Sequence, residues 1–396
     1  MLPLKDVPRH AATSNQAGQP LCRGRSGIRW PAFALVSLLL SQANPASAAP
    51  LFSVTNLVTN DQGANPAKIT DPSLVNAWGI ALSGTSPFWV GDNGTGVSTL
   101  YAVNPLTNVV TKNPLTVTIP GDGTVTGVAF NAGSAFNGDR FLFVNEDGTI
   151  SGWRNTLGTA AEVLQVGSAA NVYKGSELAT IAGNTYLYAA NFRAGTIDVV
   201  KGNAGAPDLA AAFTDPNLPA GYAPFDIKLL NGRLYVTYAL QDATKHDDVA
   251  GPGHGFVSVF DLQGNYLDRI ASQGDLNSPW GLALAPASFG DLAGDLLVGN
   301  FGDGTIGAYD LLTNTFEGPL MSGIGTELTI DGLWGLAVGN NGNGGSSQKL
   351  YFSAGPNDES NGVFGVIQVP EPMTLSLFGG GLAAVFVARR RRKVAP

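Results

Sequence analysis

At 396 residues the chain has room for one large all-β domain or two ordinary ones. Its 52 glycines, 13% charged residues and 44% hydrophobic residues fit many short strands around an ample core and exclude a disordered protein. The formal charge of −8 conceals an asymmetry: residues 1–48 and 370–396 each carry five Lys/Arg and one acid, leaving 12 basic and 28 acidic residues between them. That net −16 argues against nucleic acid or an anionic membrane surface as partner, and the single cysteine, Cys22, precedes the first apolar run, so a chain trimmed there has no thiol for a disulfide or a thiolate metal site.

Arg23, Arg25 and Arg29 lead into the apolar run Phe33–Leu40 and then Pro45-Ala46-Ser47-Ala48-Ala49. A positive flank, a short apolar core and small residues read as a secretory signal peptide cut after Ala48. The core is far shorter than the ~20 residues a membrane span requires. Residues 1–48 are therefore assigned to an export leader with an N-terminal extension, and residues 49–369 to the folded domain.

Within that domain Trp78-Gly79-Ile80-Ala81-Leu82 returns as Thr126-Gly127-Val128-Ala129-Phe130, Ser176-Glu177-Leu178-Ala179-Thr180, Phe225-Asp226-Ile227-Lys228-Leu229, Trp280-Gly281-Leu282-Ala283-Leu284 and Trp334-Gly335-Leu336-Ala337-Val338, at intervals of about 50 residues. Each copy is followed by a second strand such as Phe141–Val144 or Tyr186–Ala189, a hairpin of which Gly302-Asp303-Gly304 is the clearest, a third strand and a more polar fourth. Four antiparallel strands per ~50 residues is the size of one propeller blade, so the pattern predicts an all-β, six-bladed β-propeller of four-stranded blades. WD40 and kelch signatures are absent. The inner-strand and hairpin pattern resembles the NHL-like and strictosidine-synthase-like group of six-bladed propellers over residues 51–369, a resemblance that implies a fold and not a reaction. After Leu350–Ser353 and Val363–Gln368 the last repeat reaches Pro370 without a fourth strand, so Leu51–Val58 is predicted to complete that blade and remove an exposed sheet edge.

Past Val369 come Pro370-Glu371-Pro372, sixteen apolar or small residues from Met373 to Ala388, and the cluster Arg389, Arg390, Arg391, Arg392 and Lys393. The apolar run is short for a transmembrane helix but crosses a thin bilayer with snorkelling flanks, its basic end cytoplasmic. This three-part tail over residues 370–396 closely resembles the PEP-CTERM sorting signal. The resemblance implies an exosortase-type transpeptidase as partner, transient anchoring in the inner membrane, and a final destination at the cell surface or outside the cell. With the propeller, the chain resembles exported PEP-CTERM proteins, and no catalytic residue is carried over.

Three groups of residues are candidates for a site. The second strands end in Asp92, Asn145, Asn191, Tyr238 and Asn300, a ring of oxygens able to hold a hard cation such as calcium or, alternatively, to cap its own turns. At the second position of the inner strand four copies have glycine, whereas Glu177 and Asp226 stand in the third and fourth. They are expected to present two carboxylates at one channel mouth, unless Asp226 pairs with Lys228. The second hairpin of the fourth repeat expands to residues 241–255 and holds His246, Asp247, Asp248 and His254, residue types that ligate zinc or a similar ion. The loop is expected beside the entrance flanked by Glu177 and Asp226. Nucleotide-binding and serine-hydrolase motifs are absent. Two functions follow: a binding propeller of the cell surface or matrix, with polysaccharide or a surface protein as partner, or a metal-dependent lactonase or esterase.

Overall fold

The computed structural model describes residues 50–370; the cleavage site at Ala48 and the sorting residues from Glu371 onward lie outside the described residues. Six antiparallel sheets are arranged about one axis, their inner strands being Ala77–Ala81, Val125–Phe130, Tyr173–Ile181, Tyr222–Leu230, Pro279–Leu284 and Leu333–Val338. Each inner strand packs against the next, and the sixth returns to the first. This close approach explains the repeated glycine: a Cβ on Gly79 would lie 2.5 Å from the Thr126 carbonyl oxygen of the next blade, and one on Gly281 would lie 2.5 Å from that of Trp334. Apolar side chains of adjoining sheets fill the gaps between blades, as where Phe52, Leu297 and Ile306 meet Leu333, Phe352 and Ile367.

The ring closes as the sequence predicts. Leu51–Thr59 pairs antiparallel with Val363–Gln368, from Ser53 opposite Gln368 to Thr59 opposite Val363, and supplies the outer strand of blade 6. Phe52, Leu57 and Val58 are buried by this pairing, each contributing about 1.5–3 kcal/mol of transfer free energy. Blade 3 is irregular at its rim: only Tyr173–Ile181, Asn184–Asn191 and Thr196–Lys201 form its ladder. No strand forms between Lys201 and Tyr222, a stretch that contains Pro207, Pro216 and Pro219, which have no N–H to donate to a ladder. Asp215 of this segment is instead held by Arg269 and Ser258 of blade 4.

The alternating strands define two faces. Chain entries into the inner strands and the hairpins between second and third strands lie on the upper face; the other turns lie on the lower. Blade 6 is open at the connection between its third and fourth strands, so both chain ends leave from the lower face. Among the described residues no helix is long and apolar enough to cross a membrane.

Candidate functional site

The central channel is closed near its upper end by aromatic rings. Trp334 lies between Trp78 and Phe301, at centroid distances of 3.7 and 3.8 Å, while Trp280 and Phe225 meet it edge-on at 5.9 Å. The Asn76 side-chain oxygen accepts from the indoles of both Trp78 (2.9 Å) and Trp334 (3.2 Å), which fixes the plug. In blade 3 the residue at the tryptophan position is Lys174. Its ammonium stands 5.1 Å from the Trp78 ring centre, and its carbonyl accepts from Trp280 Nε1.

Lys174 is 2% exposed, yet two carboxylates from neighbouring blades reach it: Glu146, at the second hairpin of blade 2, and Asp247 at 3.1 Å, from the expanded loop of blade 4. Burial alone would lower its pKa, but the two carboxylates outweigh burial and hold it above the ordinary lysine value. Burial likewise opposes charge on Asp247, and Lys174 with His246 overcomes it, leaving that acid below the usual range. His246 Nδ1 lies 2.9 Å from Asp247, and one ligand atom from each of Glu146, His246 and Asp247 falls within 4.8 Å of the others. Asp248 is pushed up by burial. Glu359 is raised to about 7, by burial first and then by the charge of Glu146.

Glu359 reaches this mouth through an unusual backbone. Asn357, Asp358 and Glu359 have φ of 58°, 50° and 60°, three consecutive side-chain-bearing residues in the left-handed region. Such residues cost roughly 1–2 kcal/mol each, so the rest of the hairpin must hold the turn. Asp331 accepts from the Asn357 amide, and Gly355 accepts from the amide of Glu359. Beside the mouth an open groove of about 620 Å³ runs over blades 2 and 3, with Asp122, Glu146, Asp147, Asn171, Arg193 and His246 among its walls.

The structure regroups the sequence candidates. His246 and Asp247 join one cluster with Asp248 close by, whereas the half-buried His254 turns back on its own loop, its Nδ1 2.8 Å from the Val249 carbonyl. The expected equivalence of Glu177 and Asp226 is corrected by register. Ser176 pairs with Ala189 whereas Asp226 pairs with Thr237, so the glycine position of blade 3 is Gly175, and its Cα faces the Asp226 carboxyl. Asp226 is buried in the channel, its pKa raised well above the carboxylate range by desolvation. Glu177 opens instead into a cavity of about 600 Å³ at the lower mouth, lined by apolar residues such as Ile80, Phe130, Leu229 and Leu284. There Lys228 lies 3.7 Å from Glu177 and not on Asp226. The expanded loop and Glu177 are thus at opposite ends.

Asn145, Asn191 and Asn300 are engaged within their own blades. Asn145 donates to the Pro120 carbonyl, Asn191 to Asn171 and Asp198, and Asn300 to the Asp275 carbonyl and Thr305. Asp92 and Tyr238, at the corresponding strand ends, are also buried. Glu146, Lys174 and Glu359 are absent from the sequence expectations. Aligning the repeats on Gly175 would have revealed Lys174 at a tryptophan position; Glu359 lies in the hairpin between the second and third strands of blade 6, whose eight residues against four in blades 1 to 3 are the signal that marks it.

Residues 368–392 match the PEP-CTERM protein-sorting motif. Over 348 residues the chain is 30% identical to "Uncharacterized protein R648" of Acanthamoeba polyphaga mimivirus, covering 83% of each, and over 345 residues it is 32% identical to "Uncharacterized protein L690" of the same virus, covering 81% of this chain and 87% of that one. Among solved structures it is similar to a streptogramin B lyase, with 12% identity, a TM-score of 0.47 and coverage of 82% of this chain and 100% of that one. It is also similar to an α-L-arabinanase of Penicillium chrysogenum, with 14% identity, a TM-score of 0.45 and coverage of 76% and 99%.

Proposed function

The chain belongs to the family of the mimivirus proteins R648 and L690, and we propose that this member is an exported propeller that binds a polysaccharide at its upper mouth. The PEP-CTERM motif implies export, an exosortase-type processing partner and transient anchoring. The observation that carries the binding reading is the groove of about 620 Å³ running into the cluster around Lys174. An extended chain of sugars fits an open groove whose walls alternate carboxylates, Asn171 and Arg193 with small residues, because each hydroxyl can both donate to an acid and accept from a cation. Glu146 in the groove wall and Asp247 beside it are held in place by a buried ammonium, so the end of the groove is preorganised. The test is retention of the exported domain on polysaccharide purified from its own host. Arg193→Ala and Asp122→Asn should weaken retention several-fold without a change in melting temperature; retention unchanged in both variants would reject the reading.

A second reading rests on Glu146, His246 and Asp247, whose ligand atoms lie within 4.8 Å. Imidazole and carboxylate together suit a divalent ion such as zinc or calcium, and an ion with an open position would activate water for lactone or ester hydrolysis. Such an ion competes with the Lys174 ammonium for Glu146 and Asp247. Metal content of the purified domain, followed by a lactone and ester hydrolysis screen, separates the readings: a metal-free, inactive protein removes the enzyme.

A further inference from the structure

The lower face carries an asymmetry that the repeat pattern does not require. In three blades the turn between third and fourth strands is one five-residue motif, in which the first side chain accepts from the amide of the tip residue: Asn104 from Leu106, Asp261 from Gln263 and Asp310 from Leu312. The tip is polar in blade 4. It is leucine in blades 1 and 5, the two neighbours of blade 6, and these leucines are 88% and 96% exposed. A third exposed apolar residue, Ile324 at 87%, lies not in such a turn but in the connection from the outer strand of blade 5 to the inner strand of blade 6, where the Gly323 amide donates to the Phe52 carbonyl near the start of the closing strand. The turn with Leu106 is tied to the chain exit, because Asn108 Nδ2 donates to Gln368 Oε1 at 3.0 Å. The two exposed leucines of this edge therefore flank blade 6, where the chain enters and leaves the propeller.

Between Gln368 and the apolar run beginning at Met373 stand four residues, two of them proline, so the run begins within about 18 Å of Gln368. We propose that the lower edge formed by blade 6 and its two neighbours rests on the lipid bilayer while the sorting segment anchors the chain, with Leu106 and Leu312 entering the interface and the Lys174 mouth displayed away from it. This rests on the transient anchoring implied by the sorting motif. The contact is apolar and not electrostatic, as the −16 charge of the region between the two basic ends requires. Single leucines at a rim are ordinary; two in equivalent turns on either side of one tether, each nearly fully exposed, are what a membrane-resting edge needs.

The full chain with Cys22→Ser is reconstituted in phosphatidylcholine vesicles, carrying Leu106→Cys, Leu312→Cys or, as the upper-face reference, Ala243→Cys. Flotation with the vesicles reports anchoring separately from orientation, and failure to float rejects both. Labelling by a water-soluble maleimide is then compared before and after release by a protease site placed between Val369 and Pro370. The expected result is about tenfold slower labelling of the two lower-face cysteines while anchored, full rates after release, and no change at position 243. Equal rates throughout overturn the proposal, as does protection at position 243. Protection that persists after release indicates a second copy on this edge and also overturns it.

Discussion

Replacing Lys174 by methionine tests the upper mouth most directly. Methionine keeps an unbranched stem over the Trp78 ring but removes the ammonium shared by Glu146 and Asp247. Breaking a buried pair by deleting one partner costs about 3–5 kcal/mol. The Asp247 side chain is 65% exposed, so water screens its share, and the low end, about 3 kcal/mol, is expected. With roughly 2.1 cal/mol/K of unfolding entropy per residue and a domain of about 320 residues, that is a fall of about 4–5 °C in melting temperature. Glu146→Gln alone should also destabilise, whereas adding it to Lys174→Met should cost less than the sum, because the carboxylate left unpaired by the first change is neutralised by the second. The pH dependence has a definite sign. The pKa of Lys174 is raised in the folded state, so its contribution is fully present below the ordinary lysine value of 10.5 and is lost as pH rises through the higher folded value. Wild type should therefore approach Lys174→Met in stability only in strong alkali. Differential scanning calorimetry of wild type and the three variants decides: an unchanged melting point in Lys174→Met, or strictly additive changes in the double variant, would refute the buried-pair account.

Other perturbations have equally definite outcomes. Gly281→Ala places a Cβ 2.5 Å from the Trp334 carbonyl oxygen and 2.9 Å from Leu336 Cγ; it should destabilise by at least 1–3 kcal/mol in denaturant titration. Deleting residues 49–58 removes the outer strand of blade 6 and bares the edge of Val363–Gln368, so the melting temperature should drop by many degrees and the protein should self-associate in light scattering. Burial raises Glu359 from the ordinary glutamate value of 4.5 to about 7, so wild type loses stability as pH rises between those values. Glu359→Gln should gain roughly 1 kcal/mol or more at pH 8 and nothing at pH 4, read from thermal melts at both. Intact mass of the protein from its host should correspond to an N-terminus near residue 49 and an end in the Pro370 region; basic residues 389–393 still attached to extracellular protein would contradict sorting.

The sequence by itself determined the blade count, the inner strands and the origin of the closing strand. These signals are local: a glycine that one neighbouring backbone demands, alternation with a period of two, and glycine-containing hairpins after the second strands, repeated about every 50 residues. The His246-Asp247 half of the upper cluster was legible because an expanded hairpin interrupts that period. The rest was decided by tertiary structure. Lys174 meets Glu146 and Asp247 across 28 and 73 residues of chain, a meeting that no spacing in the sequence signals. Glu177 stands two residues beyond Gly175, the glycine of blade 3, and lies with Lys228 at the lower end. Likewise, Leu106 and Leu312 are unremarkable turn residues until ring closure sets blades 1 and 5 on either side of the chain ends. A repeat unit encodes its own hydrogen-bond ladder, but contacts between units are set by how the ring closes, and closure brings together residues whose sequence separation carries no periodic signal.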